Sequence, residues 1–217
     1  MKTTTILIFL SLHAIVAFSQ FMADMNNTVQ GKERDYKVYS DLNTYRYEFE
    51  ESGMEGVVIV DQSNNETYIL IPEKKFVHKT TCDGIMSRMN DPYQMFMWFR
   101  DYGDEKTEGN EVVNGYECEV HRVYRNDEKM LTAYISDELN FPLKIQSDIE
   151  ENTFMILDNI QPWEPDPDYF KVPEDFTEVD EKMRPIIPEP PVPEKWNETI
   201  NVIPFQTELK RGDKVWL

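Results

Sequence analysis

The stretch "NTYRYEFEESGMEGVVIVDQSNNETYILIP", residues 43–72, decides the fold. In its first part Tyr45, Tyr47 and Phe49 alternate with charged residues, which places aromatic rings on one face of a strand and charges on the other. The runs "GVVIVD" and "ETYILIP" follow, and the Asn and Ser residues between them favour a turn. Parallel pairing needs crossovers of about a dozen residues or more, so connections this short predict an antiparallel meander.

The same strand pattern continues on both sides of this stretch. Short strands are expected from about Arg34 to Thr80, and four more between residues 115 and 160, the first of them after the turn signal Asn114-Gly115. The segment 104–115 between the two groups is polar and is interpreted as a connection. In total the pattern predicts eight or nine strands.

A single helix is predicted from "DPYQMFMWFRDYG", residues 91–103. Asp91 is a suitable N-cap, Pro92 suits the first helical position, and Gly103 is expected in the left-handed conformation just past the end. At 100° per residue, Gln94 and Asp101 form one narrow polar stripe, so the rest of the helix presents a wide apolar arc.

The amino terminus predicts export. Lys2 precedes an apolar run that is too short for a bilayer span, and small residues at Ala17 and Ser19 predict a signal peptide over residues 1–19, cleaved before Gln20. There is no Cys just after the run to carry a lipid anchor. We therefore expect a periplasmic or secreted protein without a membrane span.

The amino-acid composition excludes two classes of binding partner. The formal net charge is −19, from 41 Asp and Glu against 22 Lys and Arg. A chain this acidic repels nucleic acid and anionic membrane surfaces, because both are bound through Lys and Arg. The charge itself indicates a well-solvated, acidic surface.

The two cysteines, Cys82 and Cys118, leave two interpretations open. An exported compartment favours oxidation, so they are candidates for one disulfide; the alternative is two separate buried thiols. No metal site is predicted, because His78 and His121 have no second Cys or His at ligand spacing.

No catalytic motif is present. The chain lacks a G-x-S-x-G elbow, a zinc signature and a reactive-cysteine context, and its many carboxylates form no distinctive pattern. We therefore expect a protein that is not an enzyme and that uses no cofactor.

The domain organisation follows from the prolines near the carboxyl end. Five prolines lie between Pro185 and Pro193, so residues 183–194 are expected to form a semi-rigid spacer after a β domain at 20–182. The remaining tail, residues 195–217, is too short to bury a core of its own. Its apolar ending suggests either an edge strand or a truncated chain.

Two stretches resemble a known family. The segments 114–146 and 157–179 are similar to an uncharacterised family of exported bacterial proteins grouped with the outer-membrane lipoprotein carriers, the LolA-like superfamily. The predicted signal peptide, which ends just before a Gln, is similar to those of Bacteroidetes. The positions that carry the resemblance are Gly115, Tyr116, Cys118, Tyr134, Ile135, Ser136, Pro142, Leu143, Lys144, Asn159, Ile160, Phe170, Val172 and Pro173.

The resemblance implies a fold and a ligand class. The fold is mainly β (α+β), a strongly curved antiparallel sheet or half-open barrel with one or two covering helices, around an apolar cavity for a lipid or acyl chain. A helix rich in Met and aromatic residues is a suitable cover for such a cavity. The candidate ligand contacts are Met95, Phe96, Met97, Phe99, Tyr45 and Tyr47.

Two functional hypotheses remain open at the level of sequence. The first is an exported, non-catalytic protein that binds or carries a hydrophobic ligand beneath the helix. The second is a protein-interaction or structural module in which the same helix fills the core, and in which the tail contacts a protein partner.

Overall fold

A computed structural model describes residues 20–51, 53–166 and 168–186. Within these ranges the chain forms one twelve-stranded sheet and two α-helices. The strands are β1 (Gln20–Val29), β2 (Lys32–Asp41), β3 (Thr44–Glu51), β4 (Met54–Asp61), β5 (Glu66–Ile71), β6 (Phe76–Thr80), β7 (Asp104–Val113), β8 (Tyr116–Arg125), β9 (Glu128–Ser136), β10 (Phe141–Ser147), β11 (Phe154–Pro162) and β12 (Thr177–Glu178). The helices are α1 (Ile85–Asn90) and α2 (Pro92–Tyr102).

The sheet is curved and does not close. Its strand order is β12-β6-β5-β4-β3-β2-β1-β11-β10-β9-β8-β7, and every pair is antiparallel except the short β12–β6 pair. The predicted fold class, a half-open antiparallel barrel with covering helices, is therefore confirmed. The antiparallel meander predicted from residues 43–72 corresponds to β3, β4 and β5.

Strand β1 joins two meanders and was missed by the sequence analysis. It pairs with β2 on one side and with β11 on the other, so it connects β2–β6 to β7–β11. Phe21, Ala23 and Met25 alternate inward and are buried, as expected of a strand with one face in the core. Asn26 and Asn27 interrupt that pattern, which is why it did not predict a strand.

The core lies on the concave side of the sheet. Tyr45 and Tyr47 of β3 and Val58 and Val60 of β4 belong to the main buried cluster there. On the convex side Val57 and Ile59 form a second, smaller cluster, covered by Phe170, Val172 and Phe176 from the segment that follows β11. Strand β4 is a continuous β-branched run because both of its faces are covered.

Helix α2 packs against β8, β9 and β10. The predicted N-cap is confirmed, since the Asp91 carboxylate accepts hydrogen bonds from the backbone N–H groups of Tyr93 and Gln94. The predicted polar stripe is wrong, because Gln94 is buried together with Phe96 while Asp101 is exposed. Among the described residues, neither helix has the length and continuous hydrophobicity that a membrane span requires.

Gly103 and the segment after it also differ from expectation. Gly103 has φ −128° and ψ −179°, an extended conformation that any residue adopts. A Cβ there would lie 2.6 Å from Val123 Cγ1 and 2.8 Å from the carbonyl oxygen of Tyr124. Glycine is required by the close approach of β8, and the chain continues as the edge strand β7 where a polar connection was expected.

Of the two interpretations of the cysteines, the structure has the two separate buried thiols, and the candidate disulfide between Cys82 and Cys118 is not formed. Cys82 lies in the turn after β6 and Cys118 lies on β8, and these two strands are near opposite ends of the strand order. The thiol of Cys82 donates to the carbonyl oxygen of Glu66 at 3.6 Å, and that of Cys118 to the carbonyl oxygen of Tyr116 at 3.7 Å. Desolvation raises the pKa of both thiols.

The folded unit includes the first residues of the predicted spacer. Val179 forms an antiparallel bridge with Pro185, and the backbone N–H of Ile186 donates to the carbonyl oxygen of Glu178. Residues 183–186 therefore turn back onto the end of the β domain. The rest of the predicted spacer, the tail and the predicted signal peptide lie outside the described residues.

Candidate functional site

An apolar cavity lies between the two helices and the concave face of the sheet, with a volume of about 470 Å³. Helix α2 contributes Pro92, Met95 and Phe99, and helix α1 contributes Met89. The apolar residues that the sheet contributes to its walls come from both meanders and are Val29, Tyr36, Phe49, Met130, Leu131, Ile145, Phe154 and Met155. Its size falls within the range of about 300–1,000 Å³ that is typical of small-molecule sites.

The alternation of β2 and β3 places these rings toward the helices. Tyr36 of β2 pairs directly with Phe49 of β3, and their ring centroids are 5.2 Å apart. Tyr47 and Tyr45, two and four residues before Phe49 in β3, point to the same concave side as Phe49 and are fully buried. The concave face is therefore filled near the middle of β3 and open at the end where Phe49 lies.

The mouth of the cavity has an apolar rim that is exposed to solvent. Val29, Met89 and Ile149 all line the cavity and expose 42%, 69% and 49% of their surface. Scattered exposed apolar residues are ordinary on protein surfaces, but three around one opening form a patch that water solvates poorly. Such a patch favours an apolar ligand that extends from the cavity over its rim.

Asp91 forms the polar centre of the site. Its carboxylate accepts the Tyr45 hydroxyl at 2.6 Å, the Tyr47 hydroxyl at 3.2 Å and the backbone N–H of Tyr93 at 2.8 Å. Gln94 Nε2 in turn donates to the Tyr45 hydroxyl at 2.8 Å. Because Asp91 lies between α1 and α2, this network fixes the start of the longer helix to strand β3.

Burial changes the acidity of these groups. Desolvation raises the pKa of Asp91 to about 6, although the hydrogen bonds from Tyr45, Tyr93, Gln94 and Tyr47 act in the opposite direction. The pKa values of the Tyr45 and Tyr47 hydroxyls are raised well above their ordinary value, first by desolvation and then by the Asp91 charge. Both hydroxyls therefore remain protonated donors, while Asp91 can change its protonation state in mildly acidic solution.

Charged and polar side chains surround the opening. Arg34 comes from β2 and Arg88 from α1, and the guanidinium of Arg88 lies 4.9 Å from the ring centroid of Trp98 on α2. Glu150 is also at the opening, where it accepts a hydrogen bond from the Thr153 hydroxyl at 3.5 Å. Among the described residues, no group of three or more His, Cys, Asp or Glu side chains is placed to hold a metal ion.

Comparison with known proteins identifies the fold of this chain, but it does not assign the chain to a family. No protein-family model and no curated protein sequence matches the chain. Among solved structures, an uncharacterized conserved protein from Thermus thermophilus matches with a TM-score of 0.50 and 12% identity, over 75% of this chain and 91% of that chain. At this identity the match shows a shared fold alone.

Two further solved structures match with lower scores. The complex of MucA and MucB from Pseudomonas aeruginosa has a TM-score of 0.45 and 14% identity, over 74% of this chain and 59% of that chain. A LolA superfamily protein from Nitrosomonas europaea has a TM-score of 0.39 and 9% identity, over 70% of this chain and 90% of that chain. Neither score is high enough to add to the fold assignment.

The six residues that the sequence analysis proposed as ligand contacts lie at different places in the structure. Met95 and Phe99 line the cavity. Phe96 is fully buried in the main core, and Met97 lines a different surface depression next to Gln62. Tyr45 and Tyr47 lie beneath the cavity, where their hydroxyls bind Asp91.

Sequence reasoning missed the polar groups at the mouth. Arg34 stands two residues before the buried Tyr36, so strand alternation alone places it on the concave side. Arg88 lies on α1, a helix of six residues that carries no clear apolar period and was not predicted. The burial of Asp91 was also missed, because an N-cap is usually exposed.

Proposed function

We propose that this chain is an exported, non-catalytic protein that binds a hydrophobic ligand, a lipid or acyl chain, in the cavity beneath its helices. The observation that supports the proposal best is the apolar cavity of about 470 Å³ with its exposed rim of Val29, Met89 and Ile149. The resemblance of its second meander to LolA-like proteins points to the same ligand class. Location in the periplasm or outside the cell remains part of the proposal.

The chemistry of the cavity fits an acyl chain. Met95 and Phe99 supply adaptable and aromatic contacts from the helix, and Ile145 and Met155 supply aliphatic contacts from the sheet. Each CH₂ group that moves from water into such surroundings contributes about 0.8 kcal/mol. A chain of moderate length therefore gains enough to offset the cost of immobilising it.

Mass spectrometry of the molecules that remain bound to the purified protein tests the proposal. The chain from Gln20 onward is exported to a bacterial periplasm, purified without detergent, and compared by native and denaturing mass spectrometry. We expect a discrete added mass that is lost on denaturation and is identified as a lipid.

Binding of the neutral dye N-phenyl-1-naphthylamine to delipidated protein tests whether the cavity is the site. Met95→Glu places a carboxylate against the cavity wall, and we expect it to weaken dye binding at least tenfold, because a charge is costly in an apolar site. Met97→Glu, two positions along the same helix and outside the cavity, is the matched control and should bind as the unchanged protein does. If the unchanged protein shows no saturable binding, or if both variants fold and lose binding equally, the proposal is refuted.

A protein-interaction module is the second candidate. It is favoured by strand β7, which is the last strand of the sheet among the described residues and has nine of ten residues exposed, and by the filled part of the core around Phe96. The proposed contact through residues 195–217 belongs to this candidate. If a chain that ends at residue 194 loses a measured protein contact and retains dye binding, the two functions occupy separate parts of the molecule.

A further inference from the structure

A buried carboxyl group forms part of the wall of the apolar cavity. Asp91 lines the cavity between Asn90, the last residue of α1, and Pro92, the first residue of α2, and is 1% exposed. The hydrogen bonds that its carboxylate accepts come from neutral donors, the hydroxyls of Tyr45 and Tyr47 and the first backbone N–H groups of α2. A negative charge on Asp91 is therefore stabilised by dipoles at the boundary of an apolar volume.

The other residues around this volume solvate a charge poorly. Met95 and Phe99 of α2 and Ile145 and Met155 of the sheet line the same cavity. Water that enters an open cavity solvates a charge in its wall, whereas a hydrophobic ligand replaces that water with hydrocarbon. This replacement disfavours the charged form of a carboxyl group far more than the neutral form. Burial already raises the pKa of Asp91 to about 6, so a bound ligand should raise this pKa further.

Four other titratable side chains lie close enough to Asp91 to be affected by its charge. Tyr45 and Tyr47 belong to β3, Tyr93 belongs to α2, and Cys82 lies in the turn after β6. Desolvation is the largest cause that raises the pKa of each of these four groups. All four therefore stay protonated from mildly acidic to neutral solution, and Asp91 is the member of this cluster that titrates there.

The remaining ionisable side chains that line the cavity are Arg34 and Tyr36 from β2, Arg88 from α1 and Glu150 from the segment between β10 and β11. An arginine side chain keeps its charge throughout this range of pH. Glu150 is an exposed carboxyl group at the opening. It is thus the second acidic group whose titration has to be separated from that of Asp91.

The two histidines of the described residues do not line the cavity. His78 lies on β6, where its Nδ1 is 3.0 Å from the carbonyl oxygen of Val179. His121 lies on β8, where its Nδ1 is 2.7 Å from Glu105 Oε1. Any effect of pH on binding that comes from these histidines would persist when Asp91 is replaced.

We propose that binding of a hydrophobic ligand in this cavity is coupled to the uptake of a proton by Asp91, so that a neutral ligand binds more tightly in mildly acidic solution than in neutral solution. This inference rests on the proposed function and adds a mode of regulation to it. Coupling is reciprocal: the factor by which the ligand raises the proton affinity of Asp91 is the factor by which the proton raises the affinity for the ligand. Affinity is therefore constant while Asp91 is protonated in the free protein and falls as pH rises above that range.

The pH dependence of dye binding tests the coupling. N-phenyl-1-naphthylamine is uncharged between pH 5 and pH 8, so a change in its affinity over this range belongs to the protein. We expect the delipidated full chain to bind the dye about three- to tenfold more weakly at pH 8 than at pH 5, which corresponds to a rise of about half to one unit in the pKa of Asp91 on binding. Titration calorimetry near pH 6.5, in two buffers with different ionisation enthalpies, should show net proton uptake.

Variants assign the effect to Asp91. Asp91→Asn should bind the dye with an affinity that does not vary with pH and without proton uptake. Asp101→Asn, the same substitution at an exposed position of α2 outside the cavity, is the matched control and should keep both properties, as should Glu150→Gln. Tyr47→Phe removes a hydrogen bond that lowers the pKa of Asp91, so the midpoint of the affinity profile should move to higher pH.

The outcomes separate this inference from the proposed function. If the dye binds with equal affinity at pH 5 and pH 8, or if Asp91→Asn keeps the full pH dependence, the coupling is wrong and the hydrophobic site stands. If the dye does not bind at any pH, both proposals fail. If circular dichroism shows that Asp91→Asn is unfolded, Tyr47→Phe decides the question, because a midpoint that does not move contradicts the role of Asp91.

Discussion

At the scale of single residues, Asp91 performs two tasks that sequence patterns treat separately. It caps α2, and it accepts the hydroxyls of Tyr45 and Tyr47 from the sheet below. The cap could be predicted from "DP" before an apolar run, because capping is local chemistry. Its burial could not be predicted, since the two tyrosines lie more than forty positions away in the chain.

Replacing Asp91 should reveal both tasks. Asp91→Ala removes the cap and leaves two buried hydroxyls without their acceptor, so we expect the free energy of unfolding at pH 7 to fall by about 3 kcal/mol. Asp91→Asn keeps an N-cap acceptor and should cost less than Asp91→Ala. Urea unfolding of the three proteins measures both effects, and equal losses for the two variants would contradict this account.

The same residue predicts a dependence on pH. Its pKa is about 6 in the folded protein, whereas an unfolded Asp has a pKa of about 3.9. The folded state therefore binds more protons between about pH 4 and pH 6, so the contribution of Asp91 to the free energy of unfolding decreases as pH rises through that window and is constant above it. Relative to Asp91→Asn, the unchanged protein should lose about 2–3 kcal/mol between pH 4 and pH 7. A difference that does not vary with pH would exclude the role.

At the scale of elements, sequence patterning predicted the strands whose buried face alternates regularly, and it missed β1, where Asn26 and Asn27 interrupt the alternation, and β7, which has almost no buried face. Strand β7 has only Val113 buried, so no alternation of apolar residues marks it, and it pairs with β8 through backbone hydrogen bonds and polar side-chain pairs such as Glu105 with His121. Gly103 was assigned to the end of α2 for a general reason, the left-handed cap. The actual reason is the neighbouring strand, which local sequence does not report.

Two glycine substitutions separate these causes. Gly103→Ala places a methyl group within 2.8 Å of the carbonyl oxygen of Tyr124. We expect a loss of about 2–3 kcal/mol in the free energy of unfolding, because the backbone of β8 cannot move away from the methyl group as easily as a side chain could. Gly109→Ala, in the bulge of β7 at φ +81° with open space around it, should cost about 1 kcal/mol from backbone conformation alone. Urea unfolding gives both values, and a larger loss at Gly109 would show that the contact with β8 is not the constraint.

At the scale of the whole molecule, β1 holds the two meanders in one sheet. It pairs along its length with β2 and with β11, and its inward residues Phe21 and Met25 belong to the main core. The cavity depends on this connection, because its walls come from β1 and β2 on one side and from β9, β10 and β11 on the other. That combination explains why the site was only partly predicted: the helix residues were recognisable, and their partners were distant in sequence.

Removing β1 should therefore abolish cooperative folding. We expect a chain that begins at residue 30 to lose the single urea transition of the chain that begins at Gln20, because it leaves β2 and β11 as unpaired edges and opens the core. Far-ultraviolet circular dichroism and dye binding provide the readouts. A truncated chain that unfolds in one transition and still binds the dye would show that the meanders associate without β1.

The position of β1 also sets the order in which the molecule can be completed. Asp24 of β1 and Asn159 of β11 are hydrogen-bonded across 135 positions of the chain. Strand β1 therefore cannot complete its pairing until β11 has been synthesised. Pairs this distant close slowly, since most of the chain must be ordered or confined before they form. A chain that emerges amino end first can form its β2–β6 meander early, but it has no finished ligand site until β11 arrives. Assembly of the cavity is thus a late event in folding, and a chain that lacks β11 has the helices without a complete binding wall.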